Sequence, residues 1–174
     1  NKVNFDKFSK KLEGVFYLAQ NNTELIALLK TKKPICIYFI HWRWYVPKKI
    51  LNKHKCICFH MTDLPFGRGG SPLQNLIIRG HTSTKLSCLL MTEKMDEGPI
   101  YFKRKLDLRG SAEEIYLRMS KLSWKMIKRH IKSKKLMPKK QQGKVVKFKR
   151  RHEKDSLVPS NLSNRDLYDF IPVS

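Results

Sequence analysis

His60 ends an apolar run, Cys56 to His60, and opens the stretch FHMTDLPFGRGGSPLQ, which carries a histidine, an aspartate, two prolines and three glycines. A second candidate for chemistry, Asp96, lies in EKMDEG, a turn between two apolar segments. A histidine beside a carboxylate has a fixed tautomer and a tuned basicity, which suits moving a proton to or from a nucleophile near neutral pH. Such pairs also occur in ordinary structural ion networks, so the two residue types alone leave both roles open. Gly67, Gly69 and Gly70 permit close approach of backbone to a ligand, Arg68 offers an anion partner, and Pro65 and Pro72 restrict the loop. A surface turn with several positive φ angles would use the same glycines. No G-K-[ST] follows, so the loop is not a Walker loop.

The four cysteines, Cys36, Cys56, Cys58 and Cys88, contain no C-x-x-C pair, and three lie in apolar runs. Buried reduced thiols and a cytoplasmic setting are expected from that usage. On a strand, Cys56, Cys58 and His60 share one face, as a zinc site would require, but no well-spaced fourth ligand is evident and no metal is expected. The same sharing of a face makes Cys58 a candidate nucleophile for His60 to activate, although no third group orients the pair.

Several elements must position these residues. A short helix is expected from Asn4 to Leu12, a strand over GVFYLA (Gly14 to Ala19), and a helix of about ten residues over NNTELIALLKTKKP, with a cap at its start and a proline at its end. ICIYFI (Ile35 to Ile40) is apolar on both faces, as a central parallel strand is. VPKKILNKHK reads as a short helix opened by Pro47, and Cys56 to His60 as the next strand. This alternation predicts an α/β fold with a Rossmann-like, doubly wound and mainly parallel sheet, whose ligands bind at the carboxyl ends of the strands. A parallel sheet would bring His60 and Asp96 out at one edge. SPLQNLIIRG reads as a helix, TKLSCLLMT and PIYFKRKLDL as strands, and Ser111 to Lys135 as a long helix. That helix opens with a capping box, Ser111 and Glu114, and repeats Ile115, Met119, Leu122 and Met126 at helical spacing. After Pro138 the periodicity fades, so residues 138–174 are expected as a basic extension or surface arm to a domain over 1–137. The closing LYDFIPVS reads as a stub of something longer.

The chain has 174 residues, 41% of them hydrophobic, enough for one packed domain and too many for a disordered basic tail. Its formal net charge is +23, concentrated between Lys125 and Lys154, where fourteen basic residues face the single acid Glu153. A field of that sign attracts nucleic acid, an anionic surface or a phosphorylated small molecule, and it also describes a merely solvated lysine-rich surface. No apolar run approaches the ~20 residues of a membrane span and no signal pattern opens the chain, so no membrane partner is expected. The start at Asn1 without a methionine suggests missing upstream residues.

FHMTDLPFGRGGSPLQ followed by RGHTSTKLSCLLMTEKMDEGPIY resembles the formyltransferase domain shared by methionyl-tRNA, glycinamide ribonucleotide and sugar N-formyltransferases. His60, Thr62, Leu64, Pro65, Arg68, Gly69, Pro72, Gln74, Gly80, Thr84, Asp96 and Gly98 fall into that family's pattern, across a match from about Ile35 to Leu108. The wording, with HWRWYVP upstream, is closer still to the branch acting on nucleotide-linked amino sugars. The resemblance implies N10-formyltetrahydrofolate as donor and an amine as acceptor. It implies His60, Asp96 and Cys58 as the catalytic positions, with Trp44, Tyr45, Val46, Met91, Thr92, Glu93 and Met95 around the pterin. Arg68, Gly69, Gly70 and Lys103 are the residues expected to hold a nucleotide sugar. His60 would handle the proton or support the oxyanion, and Asp96 would orient it. A homodimer is also implied.

Two departures qualify the resemblance. The family's Asn two residues before the His is Cys58 here, and a thiol is a poor donor where an amide is a good one. The family's first strand would precede Asn1 and a later segment would pass the chain's end, so a copy clipped at both ends is expected, with an open sheet edge. Three readings follow: a sugar N-formyltransferase first, an enzyme acting on aminoacyl-tRNA second, and a catalytically impaired relative serving as a binding module third. Too few residues remain for the separate C-terminal barrel of the tRNA enzyme, while the basic stretch suits tRNA phosphates.

Overall fold

The computed structural model describes residues 2–133, 135–152 and 155. LYDFIPVS lies outside the described residues. In chain order the elements are α1 (Lys2–Ser9), α2 (Asn22–Thr31), β1 (Ile37–Phe39), α3 (Lys48–Lys53), β2 (Cys56–His60), β3 (Phe66–Gly69), α4 (Pro72–Ile77), β4 (Ser83–Leu90), β5 (Ile100–Asp107), α5 (Ala112–Lys132) and β6 (Val146–Phe148).

The expected α/β class is the observed one, with strand order β1-β2-β4-β5 in the main sheet. Parallel pairing holds for β1 with β2, where Phe39 lies beside Cys58, and for a separate ribbon of β3 and β6. β4 and β5 run antiparallel to their neighbours, with Ser87 opposite His60 and Lys103 opposite Ser87. For β4 and β5 the reason is their connection: the turn after Leu90 is too short for the helical crossover that a parallel pair requires.

Period-two alternation in β1 and β2 feeds two apolar layers. Ile57, Phe59 and Tyr38 face a large core with Leu73 and Leu76 of α4 and Ile115, Met119, Met126 and Ile127 of α5. Cys56, Cys58 and Phe39 face a smaller core with Leu25 of α2 and Val46 and Ile50 around α3. α5 begins where its sequence predicts: the Ser111 hydroxyl accepts from Glu114 N–H and the Glu114 carboxylate accepts from Ser111 N–H. Each fully buried side chain on its inner face, such as Ile115 or Met119, contributes about 1.5–3 kcal/mol. Phe5 and Phe8 of α1 pack on Trp124, which fastens the start of the chain to α5.

Two expectations about elements are corrected. Gly14 to Ala19 is not a strand; Val15 is 79% exposed and Tyr17 half exposed, so the β-branched and aromatic composition has no sheet to join. The arm after Pro138 is not free surface, since its residues 146–148 form β6 against the glycine loop. All four cysteines are unpaired. No described helix is long and apolar enough to cross a membrane.

His130 of α5 is buried between sheet aromatics, with its Nδ1 hydrogen-bonded to Tyr38 Oη at 2.7 Å and Tyr101 edge-on at 4.7 Å. Burial, with Lys55 nearby, pushes its pKa below the ordinary value. A lowered folded pKa means that the unfolded chain takes the proton first. Stability is therefore intact above the ordinary histidine pKa of about 6.5 and falls as pH drops below it. His130→Gln offers Tyr38 either a donor or an acceptor and cannot titrate, so it should flatten the fall in melting temperature between about pH 7 and pH 5. An unchanged slope would contradict this account. His41, whose pKa is also lowered by burial, supplies a remaining part of the slope.

Candidate active site

His60 is the last residue of β2, and its orientation is set by the loop that follows. The Ser87 hydroxyl, fully buried on β4, donates to Thr62 O at 2.6 Å and accepts from Leu64 N–H at 3.3 Å. Asp63 is held by Lys85 at 2.9 Å and by Lys103, which also donates to the Leu64 carbonyl. Partial burial pushes the Asp63 pKa up, but hydrogen bonds and charge from Lys103 and Lys85 outweigh it and leave the pKa below the usual value. These ties stitch the loop to the β4–β5 hairpin before it enters β3.

The glycine strand then closes over the histidine. Gly67 O accepts from His60 Nε2 at 2.7 Å and from the Thr62 hydroxyl at 3.2 Å. A carbonyl can only accept, so Nε2 carries a hydrogen. The other ring nitrogen, Nδ1, faces Asp96 Oδ1 at 3.5 Å. Both nitrogens thus look at oxygen atoms that can only accept. Asp96 Oδ2 accepts from Gly69 N–H at 2.9 Å, so one carboxylate spans the histidine and the glycine strand.

The route by which Asp96 arrives is not the one expected from a parallel sheet. β4 runs antiparallel to β2 and ends beside its start, where Met91 N–H donates to Cys56 O at 2.8 Å. The turn 91–99 therefore leaves the sheet away from His60 and folds back over the Cys58 face of β2. Asp96 takes a left-handed φ of 56° at its tip, and Gly98 passes so close to β4 that a Cβ there would lie 1.7 Å from Leu90 O.

Cys58 lies beneath this turn. Its thiol is pushed well above the ordinary pKa, first by burial and then by the Asp96 charge, so the thiolate that a covalent mechanism needs is disfavoured. Among the described residues, no three histidine, cysteine or carboxylate side chains gather as metal ligands.

The expected donor cradle is brought together in part. Val46 and Met91 pack in the same apolar layer, and Lys48 pairs with Glu93 at 2.7 Å across the two segments. Trp44 and Tyr45 are exposed, as are Thr92 and Met95. The Tyr45 carbonyl accepts from Asn22 Nδ2 at 2.9 Å, and the buried Trp42 Nε1 has no partner. An apolar floor, exposed aromatic rings and an orphaned buried N–H donor fit a flat heteroaromatic group with ring acceptors.

Among the expected acceptor-side residues, Arg68 is engaged by Gln141 through Nε at 3.1 Å and Nη2 at 2.8 Å, and lies 3.4 Å from Glu97. Gly69 and Gly70 serve the ribbon: Gly70 N–H donates to Phe148 O at 3.2 Å, and a Cβ on Gly70 would meet Arg150 at 2.7 Å. Lys103 points at Asp63 and Leu64, on the outer side of the loop. Gln141, Ser87 and Phe148 were not singled out by sequence. Each is an ordinary residue type with no spacing signal, and its role exists only once distant segments meet.

No family model matches the chain. The methionyl-tRNA formyltransferase of Campylobacter lari is 29% identical over 161 residues, which cover 91% of this chain and 51% of that protein. The chain spans about half the length, or less, of the curated relatives it matches. The solved structure of the methionyl-tRNA formyltransferase from Clostridium thermocellum superposes with a TM-score of 0.88 at 40% identity, covering 97% of this chain and 76% of that one. An N-formyltransferase from Helicobacter canadensis, solved with folinic acid and dTDP-3-aminofucose, shares the fold at a TM-score of 0.60 and 14% identity, over 69% of this chain and 48% of that one.

Gly69 tests the ribbon. Its φ is +112° and a Cβ would lie 2.3 Å from Phe148 O, whereas Gly80, at φ +71°, has open space around it. Gly69→Ala should cost about 2–4 kcal/mol by combining backbone strain with a clash. Gly80→Ala should cost about 1–2 kcal/mol, from strain alone. Equal losses in urea unfolding would show that β3 and β6 are not in close contact.

Proposed function

The chain belongs to the methionyl-tRNA formyltransferase-like family of formyltransferase domains, and from that premise we propose that it transfers a formyl group from N10-formyltetrahydrofolate to an amine carried on an aminoacyl-tRNA. The observation that carries the reading is the fixed triad of Gly67 O, His60 and Asp96. The donor supplies an activated formyl carbon. Addition of an amine to a formyl carbonyl creates an oxyanion and a surplus proton on nitrogen. His60 holds a hydrogen on Nε2 against Gly67 O, and an oxyanion is the stronger acceptor, so this hydrogen can pass to it as a ready donor. Asp96, beside Nδ1, orients the ring, and the surplus amine proton would pass by way of His60 to the donor nitrogen as its bond to the formyl carbon breaks, so that tetrahydrofolate leaves and the formamide remains. Cys58 supplies little hydrogen bonding, so the work falls on His60 and backbone donors.

Trp44, Tyr45 and Val46, with Met91, Thr92, Glu93 and Met95, are the residues that would hold the pterin, with Trp42 Nε1 as a free donor. Two observations support tRNA as the carrier of the amine: the 40% identity to the Clostridium thermocellum structure and the net charge of +23. The wording of the His60 loop and the fold shared with the Helicobacter canadensis protein support a nucleotide-linked amino sugar as a second acceptor class.

The deciding assay follows tetrahydrofolate release with methionyl-tRNA and with a panel of nucleotide-linked amino sugars. Transfer to the tRNA is expected, falling steeply between 50 and 200 mM salt as counterion release demands, and reduced about 10²-fold or more in His60→Ala. Turnover confined to sugars would move the acceptor to the second class. Donor binding without transfer to either would overturn the catalytic reading.

A further inference from the structure

Gln141 lies on the arm between two anchors. Lys139 exchanges a pair of backbone hydrogen bonds with Ile100, each 2.8 Å, and β6 begins at Val146. From this fixed position the Gln141 amide uses all its capacity. Nε2 donates to the carbonyls of Asp96 at 2.7 Å and Gly98 at 2.8 Å, and Oε1 accepts twice from the Arg68 guanidinium. Its orientation is unambiguous, because a flipped amide would set oxygen against two carbonyls and N–H groups against a guanidinium.

The residue it grips is the strained one. A left-handed conformation at a non-glycine residue persists only where surroundings over-determine it, and Asp96 at φ 56° is such a case. The turn is close-packed on β4 at Gly98, and at its tip the Asp96 carbonyl is held by Gln141. The peptide that Gln141 holds is the one from which the Asp96 carboxylate projects to His60 and Gly69. Resting on the functional reading above, we propose that Gln141 is a positioning residue for formyl transfer: through the Asp96 and Gly98 carbonyls it sets the Asp96 carboxylate against His60, and through Arg68 it sets the glycine strand against the same carboxylate. The site is therefore completed by the arm, 45 residues beyond Asp96 in the chain.

The test uses the full chain with Gln141→Leu, Gln141→Glu and the exposed neighbour Gln142→Leu. Gln141→Leu removes all four bonds. Gln141→Glu keeps an acceptor for Arg68 and turns oxygens toward two carbonyls, so it isolates the hold on Asp96. Both Gln141 variants should lower kcat by about 10–100-fold, the scale seen when a supporting hydrogen bond behind a reactive group is removed, with KM for the donor within about threefold. Gln142→Leu should match the wild type. Independently of activity, amide exchange at Gly69, whose N–H rests on Asp96 Oδ2, should accelerate about tenfold or more in both Gln141 variants while Leu86 and Leu106 in the sheet keep their protection. Unchanged Gly69 exchange, a wild-type kcat in Gln141→Glu, an equal loss in Gln142→Leu, or faster exchange throughout the sheet would each overturn the proposal. If no acceptor is formylated by the wild type while Gly69 responds as expected, the functional reading falls and the hold of Gln141 on Asp96 stands.

Discussion

The Asp96 carboxylate joins parts of the chain that share no local structure. One oxygen takes the Gly69 N–H and the other faces His60, while the backbone of the same residue is bent left-handed over the Cys58 face of β2. Without that carboxylate the glycine strand would lose an acceptor and the histidine its neighbour. A charged acceptor in a mostly covered place is worth more than a surface pair, because little water competes for it. The loop's ties to Ser87 and Lys103 and the ribbon of β3 and β6 fix the segments that this carboxylate meets, and the Gln141 amide holds its own backbone.

The sheet explains why the segment after Trp42 and the histidine share an edge. β1 and β2 are parallel neighbours, so the chain leaving β1 toward Trp42 and the chain ending β2 at His60 emerge on the same side. That crevice at the carboxyl ends of parallel strands is where open α/β sheets bind ligands. The antiparallel entry of β4 then brings a carboxylate to the same place from the far side of β2. Charge adds a longer-range contribution. A net charge of +23 raises the local concentration of phosphates around the whole chain, an effect on encounter and weak binding more than on chemistry.

Much of the architecture was legible before any coordinates. Periodicity located α5 because Ile115, Met119 and Met126 recur on one face, and the Ser111–Glu114 box marked its start. Two-sided apolar runs located β1 and β2, since both faces of those strands are buried in separate cores. Composition misled at Gly14 to Ala19, where strand-forming residues have no partner to pair with. It was silent at β3 and β6, where four glycine-rich residues and three residues of a basic arm pair only because they meet.

By itself the sequence determined which groups are available for chemistry: a histidine closing a strand, an aspartate in a turn, glycines that allow close approach, and a cysteine where the family has an amide. These are properties of residue type and near spacing, carried by local propensity and pattern. Tertiary structure alone decided that Asp96 reaches His60 by folding back from an antiparallel strand, that Gly67 O holds Nε2, and that Gln141 meets the Asp96 and Gly98 carbonyls and Arg68 from the arm. Such contacts link residues separated by up to seventy-three positions, as Arg68 and Gln141 are, and no local signal encodes a partner that distant. They follow from the order and direction of the strands and from where the arm crosses the turn after β4, because each group finds its partner only when those segments meet.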